Sequence, residues 1–107
     1  MVSARDFVYA SKKGYEGEIF VMGGKSVEYK DAPSPSKIVR AVNGAGCQMV
    51  TPRAEDENTC QFVWLMDCDY KGWMPQSVLD IAMPIAQTQF IDCVRKLAEK
   101  LKEEGKF

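Results

Sequence analysis

A single change of hydrophobic period constrains this chain more than any motif in it. Up to residue 69 the apolar residues fall in short β-branched and aromatic runs, broken by glycines and prolines. From Pro75 onward they recur at steps of three and four, through Leu79, Met83, Ala86, Phe90, Val94, Leu97 and Leu101, the spacing of one helix face. The pattern predicts an α+β chain: an antiparallel β-meander of about four strands, roughly residues 5–69, then one long α-helix, roughly 75–104, in one domain.

Within the strand region, residues 5–10 read as a strand that ends at the turn signal Lys12-Lys13-Gly14. Residues 18–22 and 25–29 flank Gly23-Gly24, where paired glycines suggest a bulge or a close approach to the backbone. Pro33 and Pro35 force a loop. Residues 37–42 and 47–50 are strand-like and separated by Asn43-Gly44-Ala45-Gly46, which reads either as a hairpin turn or as a glycine bulge in one long bent strand. Residues 52–58 read as a charged loop, and 59–69 as the longest strand, ended by Lys71-Gly72. In the helix Pro75 suits the first turn, Gly105 the stop, and Pro84 predicts a kink. Its first half is also apolar off the main stripe, at Val78, Ile81, Ala82 and Ile85, so it should touch something apolar on more than one side. A helix of about 45 Å also exceeds a four-strand sheet about 19 Å across.

Composition narrows the chemistry. The 107 residues carry no histidine, which removes His-based acid–base catalysis and His metal sites. The net charge of −1 lacks the basic footprint of a nucleic-acid binder. Cys47, Cys60, Cys68 and Cys93 contain no C-x-x-C pair, so they read as reduced thiols rather than zinc ligands. The chain reaches charge within its first five residues, without a signal-peptide pattern. No apolar run approaches the roughly 20 residues that span a bilayer. A cytoplasmic protein without cofactor or metal is the expectation.

Arg5-Asp6-Phe7-Val8, Lys37-Ile38-Val39-Arg40-Ala41, Asn43-Gly44-Ala45-Gly46-Cys47 and above all Asp69-Tyr70-Lys71-Gly72-Trp73-Met74-Pro75 resemble the C-terminal half of StAR-related lipid-transfer (START) domains. The resemblance runs over nearly the whole chain, and no segment matches the family's N-terminal half. It implies half of a helix-grip fold, a curved sheet wrapped around the last helix. It favours the bent strand over the hairpin. It further implies a non-enzymatic module that holds a sterol, phospholipid or similar lipid between sheet and helix and meets membrane surfaces transiently. Carried over residue by residue, the ligand-facing positions are Phe7, Tyr9, Ser11, Phe20, Met22, Gln48, Phe62, Trp64 and Met66 on strands, and Met83, Ala86, Phe90 and Val94 on the helix. Several family members have arginine where this chain has Ser11, which leaves Arg40 and Gln48 as polar ligand candidates, Arg40 serving equally well as a structural ion-pair residue.

Other readings compete. The helix stripe, Trp64, Trp73 and the methionines all fit plain core packing. Asp67 and Asp69 fit a solvated strand end better than a carboxylate pair. Half a sheet has two open edges, which predicts a homodimer or larger assembly that pairs edges or exchanges helices. Such an assembly could instead consume the cavity, leaving a structural remnant that binds no lipid. A helix-grip enzyme lacks a nucleophile and base here. A fragment of a longer gene product is compatible with the sequence.

Overall fold

A computed structural model describes residues 2–106. Two units follow one another, the first through Trp73 and the second from Met74. The first holds the strands β1 (Arg5–Asp6), β2 (Tyr9–Glu16), β3 (Ile19–Ser26), β4 (Val39–Arg40), β5 (Val42–Asn43), β6 (Gly46–Arg53), β7 (Asp56–Leu65) and β8 (Cys68–Asp69); the second holds the helix α1 (Gln76–Glu103). The predicted α+β order, antiparallel strands and then one helix, is what forms.

The main sheet is four-stranded and antiparallel, in the order β2-β3-β6-β7. Strand alternation gives it two faces. On one, four rows run across the strands: Tyr9–Ser26; Ser11–Gly24–Gly46; Lys13–Met22–Gln48–Trp64; and Tyr15–Phe20–Val50–Phe62. The other face carries Lys12, Val21, Cys47, Met49, Val63 and Leu65.

Several sequence boundaries move. Lys12, Lys13 and Gly14 lie inside β2, and the chain turns instead at Gly17, whose φ of +59° suits glycine. β3 passes through Gly23 and Gly24 in unbroken register, so that pair marks close approach and not a bulge: a Cβ at Gly24 would stand 3.0 Å from the Ala10 carbonyl oxygen. The charged loop shrinks, because Pro52 and Arg53 extend β6 and residues 56–58 open β7.

The segment after Ile38 is not a hairpin at Asn43-Gly44. β5 pairs with β8 and β6 with β7, so 42–53 runs antiparallel to 56–69. Gly44 N–H donates to the Asp67 carbonyl at 2.6 Å, and Cys47 lies opposite Leu65. One strand takes three steps where its partner takes two, so one extra residue bulges there. Glycine is required on both sides of it: a Cβ at Gly46 would meet the Leu65 carbonyl oxygen at 2.8 Å, and one at Gly44 would overlap the Asp67 carboxylate. The bend of the strand is thus written in two glycines.

A short parallel pair, β1 with β4, ties the start of the chain to this segment, through Val39 N–H to the Ala4 carbonyl and Ala41 N–H to the Asp6 carbonyl, both 2.9 Å. Among the described residues of this unit, Ala41, 1% exposed, is the buried apolar one.

α1 starts after Pro75, whose φ of −61° and ψ of 141° make it the extended N-cap. The helix continues through Pro84; Thr88 Oγ1 donates to the Pro84 carbonyl at 2.8 Å. It stops in a Schellman arrangement: Gly105 (φ +69°) N–H bonds the Lys102 carbonyl, and Lys106 N–H that of Leu101. Met83, Ala86, Phe90 and Val94 share one side of this helix by spacing.

Candidate functional site: a hollow on one face of the sheet

The row Ser11–Gly24–Gly46 has almost no side-chain volume, while the rows beside it carry Tyr9 on one side and Met22 and Trp64 on the other. Missing side chains between large ones leave a hollow, here of about 290 Å³. Its floor is the backbone of Gly23, Gly24 and Gly46. β2 contributes Tyr9 and Ser11 to the wall, β3 Met22, and β6 Gln48 with Cys47 beside it. Trp64 and Met66 come from β7 and the residue just after it, and Phe7 from the segment between β1 and β2. Asn43, Cys68 and Tyr70 close one end.

That end is polar but uncharged. Cys68 Sγ donates to Asn43 Oδ1 at 3.3 Å. Burial pushes the Cys68 thiol above its ordinary range, although a hydrogen bond with the Tyr70 hydroxyl pulls the other way. Burial, and then the neighbouring Cys68, push the Tyr70 hydroxyl up as well. Both groups therefore stay protonated at neutral pH. Tyr70 is also held by ring contact, edge-on to Phe7 at 6.1 Å.

Arg5 fixes this end from behind. Its guanidinium donates to the carbonyls of Tyr70 (3.1 Å), Lys71 (2.7 Å) and Trp73 (3.0 Å), and also to that of Ser3 (2.6 Å). The turn needs such a clasp, because Lys71 (φ +53°) and Gly72 (φ +59°) are both left-handed. A Cβ at Gly72 would come within 3.3 Å of the Arg5 guanidinium and Val39. Asp69 accepts from Lys71 N–H at 2.9 Å, and its side chain pairs with the Lys71 ammonium at 3.1 Å. The backbone bond, then the Lys71 side chain, hold the Asp69 carboxyl below the usual range.

Of the residues singled out in the sequence, Phe7, Tyr9, Ser11, Met22, Gln48, Trp64 and Met66 surround this one hollow. Phe20 and Phe62 lie on the same face one row further on, Phe20 edge-on to Tyr15 at 5.4 Å and Phe62 to Trp64 at 6.4 Å. Arg40 stands elsewhere. Its Nε reaches Asp6 Oδ1 at 2.7 Å, and its Nη atoms bond the Ala32 and Pro33 carbonyls at 2.9 and 3.1 Å. The Asp6 hydrogen bond raises the Arg40 pKa further. The parallel register Asp6–Arg40 explains this: Arg40 pins the proline loop to β1, as the ion-pair reading has it, and is not a polar wall of the hollow. Met83, Ala86, Phe90 and Val94 belong to α1, in the other unit. Sequence reasoning missed Asn43, Cys68 and Tyr70, although their spacing two apart from Trp64 through Met66, Cys68 and Tyr70 was legible as one strand face.

An antiparallel sheet that carries an apolar hollow, followed by one C-terminal helix, defines an α+β class of protein. Comparison with known proteins makes the class specific. The START domain family matches residues 1–103, and the chain belongs to that family. It is similar to the mitochondrial steroidogenic acute regulatory protein of Danio rerio, 33% identical over 95 residues, covering 89% of this chain and 33% of the relative. The protein of that name from Salvelinus fontinalis is 31% identical over 96 residues (90% and 33%), and that from Mus musculus 28% over 99 residues (92% and 35%). The chain thus spans about a third of the length of these relatives. Among the described residues no helix is long and apolar enough to cross a membrane.

Proposed function

We propose that this chain is a non-enzymatic lipid-binding module, and that the hollow over Ser11, Gly24 and Gly46 receives the apolar ligand. The observation that carries this reading is the hollow itself: a floor of backbone, walls of Tyr9, Met22, Trp64 and Met66, and a polar but uncharged end at Asn43, Cys68 and Tyr70. Such a site suits burial of hydrocarbon at about 25 cal/mol per Å², with a few polar groups setting orientation. Phe20 and Phe62 extend the apolar surface by one row, and the family resemblance adds Met83, Ala86, Phe90 and Val94, on one side of the helix, as ligand-facing positions. In this reading Arg40 serves the Asp6 ion pair and the proline loop rather than the ligand. The relatives' names make a mitochondrial membrane, alongside the cytoplasmic setting, the first donor or acceptor surface to try. Native mass spectrometry of the purified chain, with organic extraction of the same sample and a second run after incubation with liposomes, tests the reading. A stoichiometric lipid mass is expected; protein that stays lipid-free in both runs contradicts it.

A second reading has its own support. Among the described residues β2 pairs only with β3 and β7 only with β6, so both sheet edges are open. From Thr59 to Leu65 the β7 edge carries no charge and no proline, the devices that usually protect an edge. A homo-oligomer joined through β7 would cover it, and could do so with or without a lipid inside. Light scattering separates the cases: a stable monomer at micromolar concentration removes the assembly, and a lipid-free oligomer makes the chain a structural remnant.

A further inference from the structure

On the face that carries the hollow, the side chains of Ser11, Lys13 and Gln48 make no hydrogen bond or ion pair among the described residues. Register makes them neighbours. Lys13 and Gln48 flank Met22 in one row, and Ser11 precedes Lys13 by two residues on the same side of β2, about 7 Å along the strand. Within the four rows of this face Lys13 is the one charged residue; Lys12, next to it in sequence, stands on the opposite face.

A lone cation beside an apolar hollow, with two unused neutral donors next to it, complements a monoanion carried on a hydrocarbon chain. Arginine forks serve carboxylates and phosphates alike; none occurs in these rows, so Lys13 acts as a point charge suited to a single negative charge. The hollow, at about 290 Å³, has room for one hydrocarbon chain along its glycine floor. Building on the lipid-binding reading above, we propose that this face takes a long-chain fatty acid, its carboxylate accepting from Lys13 Nζ and from Ser11 Oγ or Gln48 Nε2, with the hydrocarbon in the hollow. Lys13 then sets head-group specificity, while the glycine floor and Met22, Trp64 and Met66 hold the chain.

The test is a titration of the full chain with oleate and with oleyl alcohol, which has the same hydrocarbon and no charge, both below their aggregation limits. Wild-type protein should prefer oleate by about tenfold, the strength of one partly exposed charge-assisted hydrogen bond. Lys13→Gln should bring the two ligands within about twofold while oleyl alcohol binding holds. Lys12→Gln, one residue away on the other face, should keep the wild-type ratio. An unchanged ratio in Lys13→Gln, an equal loss in both lysine variants, or wild-type protein that prefers the alcohol overturns the assignment. If oleate and its alcohol both fail to bind but a sterol or two-chain phospholipid does, the fatty-acid assignment falls and the lipid-binding reading survives; if no lipid of any class binds, both fall.

Discussion

Two rows on the same face of the same sheet have opposite fates. Tyr15, Phe20, Val50 and Phe62 fill their row with large side chains, Tyr15 and Phe20 meeting edge-on, whereas Ser11, Gly24 and Gly46 leave theirs empty. The hollow follows from the lack of side-chain volume in that row, next to the glycine bulge at Gly44 and Gly46. The contrast shows how a sheet can hold a ligand without a specialised loop: omit side chains from one row and keep large ones in the next.

The empty row stands next to the glycine bulge, and its integrity depends on that bulge. Gly46→Val therefore gives the largest effect. It drives a Cβ into the Leu65 carbonyl, 2.8 Å away, where backbone must move; a loss of about 3 kcal/mol or more is expected in urea unfolding, and ligand binding should go with it. Next comes refilling the row without touching the bulge. Ser11→Phe places a ring over Gly24 and should weaken lipid binding at least tenfold, with a stability change within about 1 kcal/mol because position 11 is exposed. Should Ser11→Phe bind lipid like wild type, the empty row is not the ligand seat.

A smaller effect is expected at the polar end. Arg5→Leu leaves the Tyr70, Lys71 and Trp73 carbonyls without their clasp, for about 1–2 kcal/mol in the same unfolding assay. Hydrogen exchange should speed up in residues 70–73 and stay unchanged in the aromatic row. The smallest effect is on pH dependence. The Asp69 carboxyl is depressed in the folded chain by Lys71, so its contribution is complete above the ordinary carboxylate range and is lost as pH falls through the depressed folded value. Asp69→Asn should lower the neutral plateau of a stability-versus-pH curve slightly and flatten its acid limb, converging with wild type below the depressed value.

The order of strands and helix was legible because the period changes at Pro75, and seven of the strand positions carried over from the family meet at one hollow because alternation along β2, β3, β6 and β7 is regular. What was not legible came from contacts between distant segments. Lys12-Lys13-Gly14 looks like a turn, yet pairing with Met22 and Gly23 keeps it in the strand. Asn43-Gly44 has hairpin chemistry, but hydrogen bonding of Gly44 to Asp67 makes it part of a bulged strand. Arg40 looks like a polar anchor until its register opposite Asp6 is known. In each case the pairing partner lies 9 to 34 residues away, and local propensity carries no information about it.

The two faces of the sheet offer the most direct test of where a ligand sits. A fatty-acyl probe with a diazirine in its chain, photolysed on the protein and mapped by peptide mass spectrometry, should mark Tyr9, Met22, Trp64 and Met66. Labels concentrated instead on Val21, Met49, Val63 and Leu65 would put the lipid on the opposite face and contradict the hollow as the binding site.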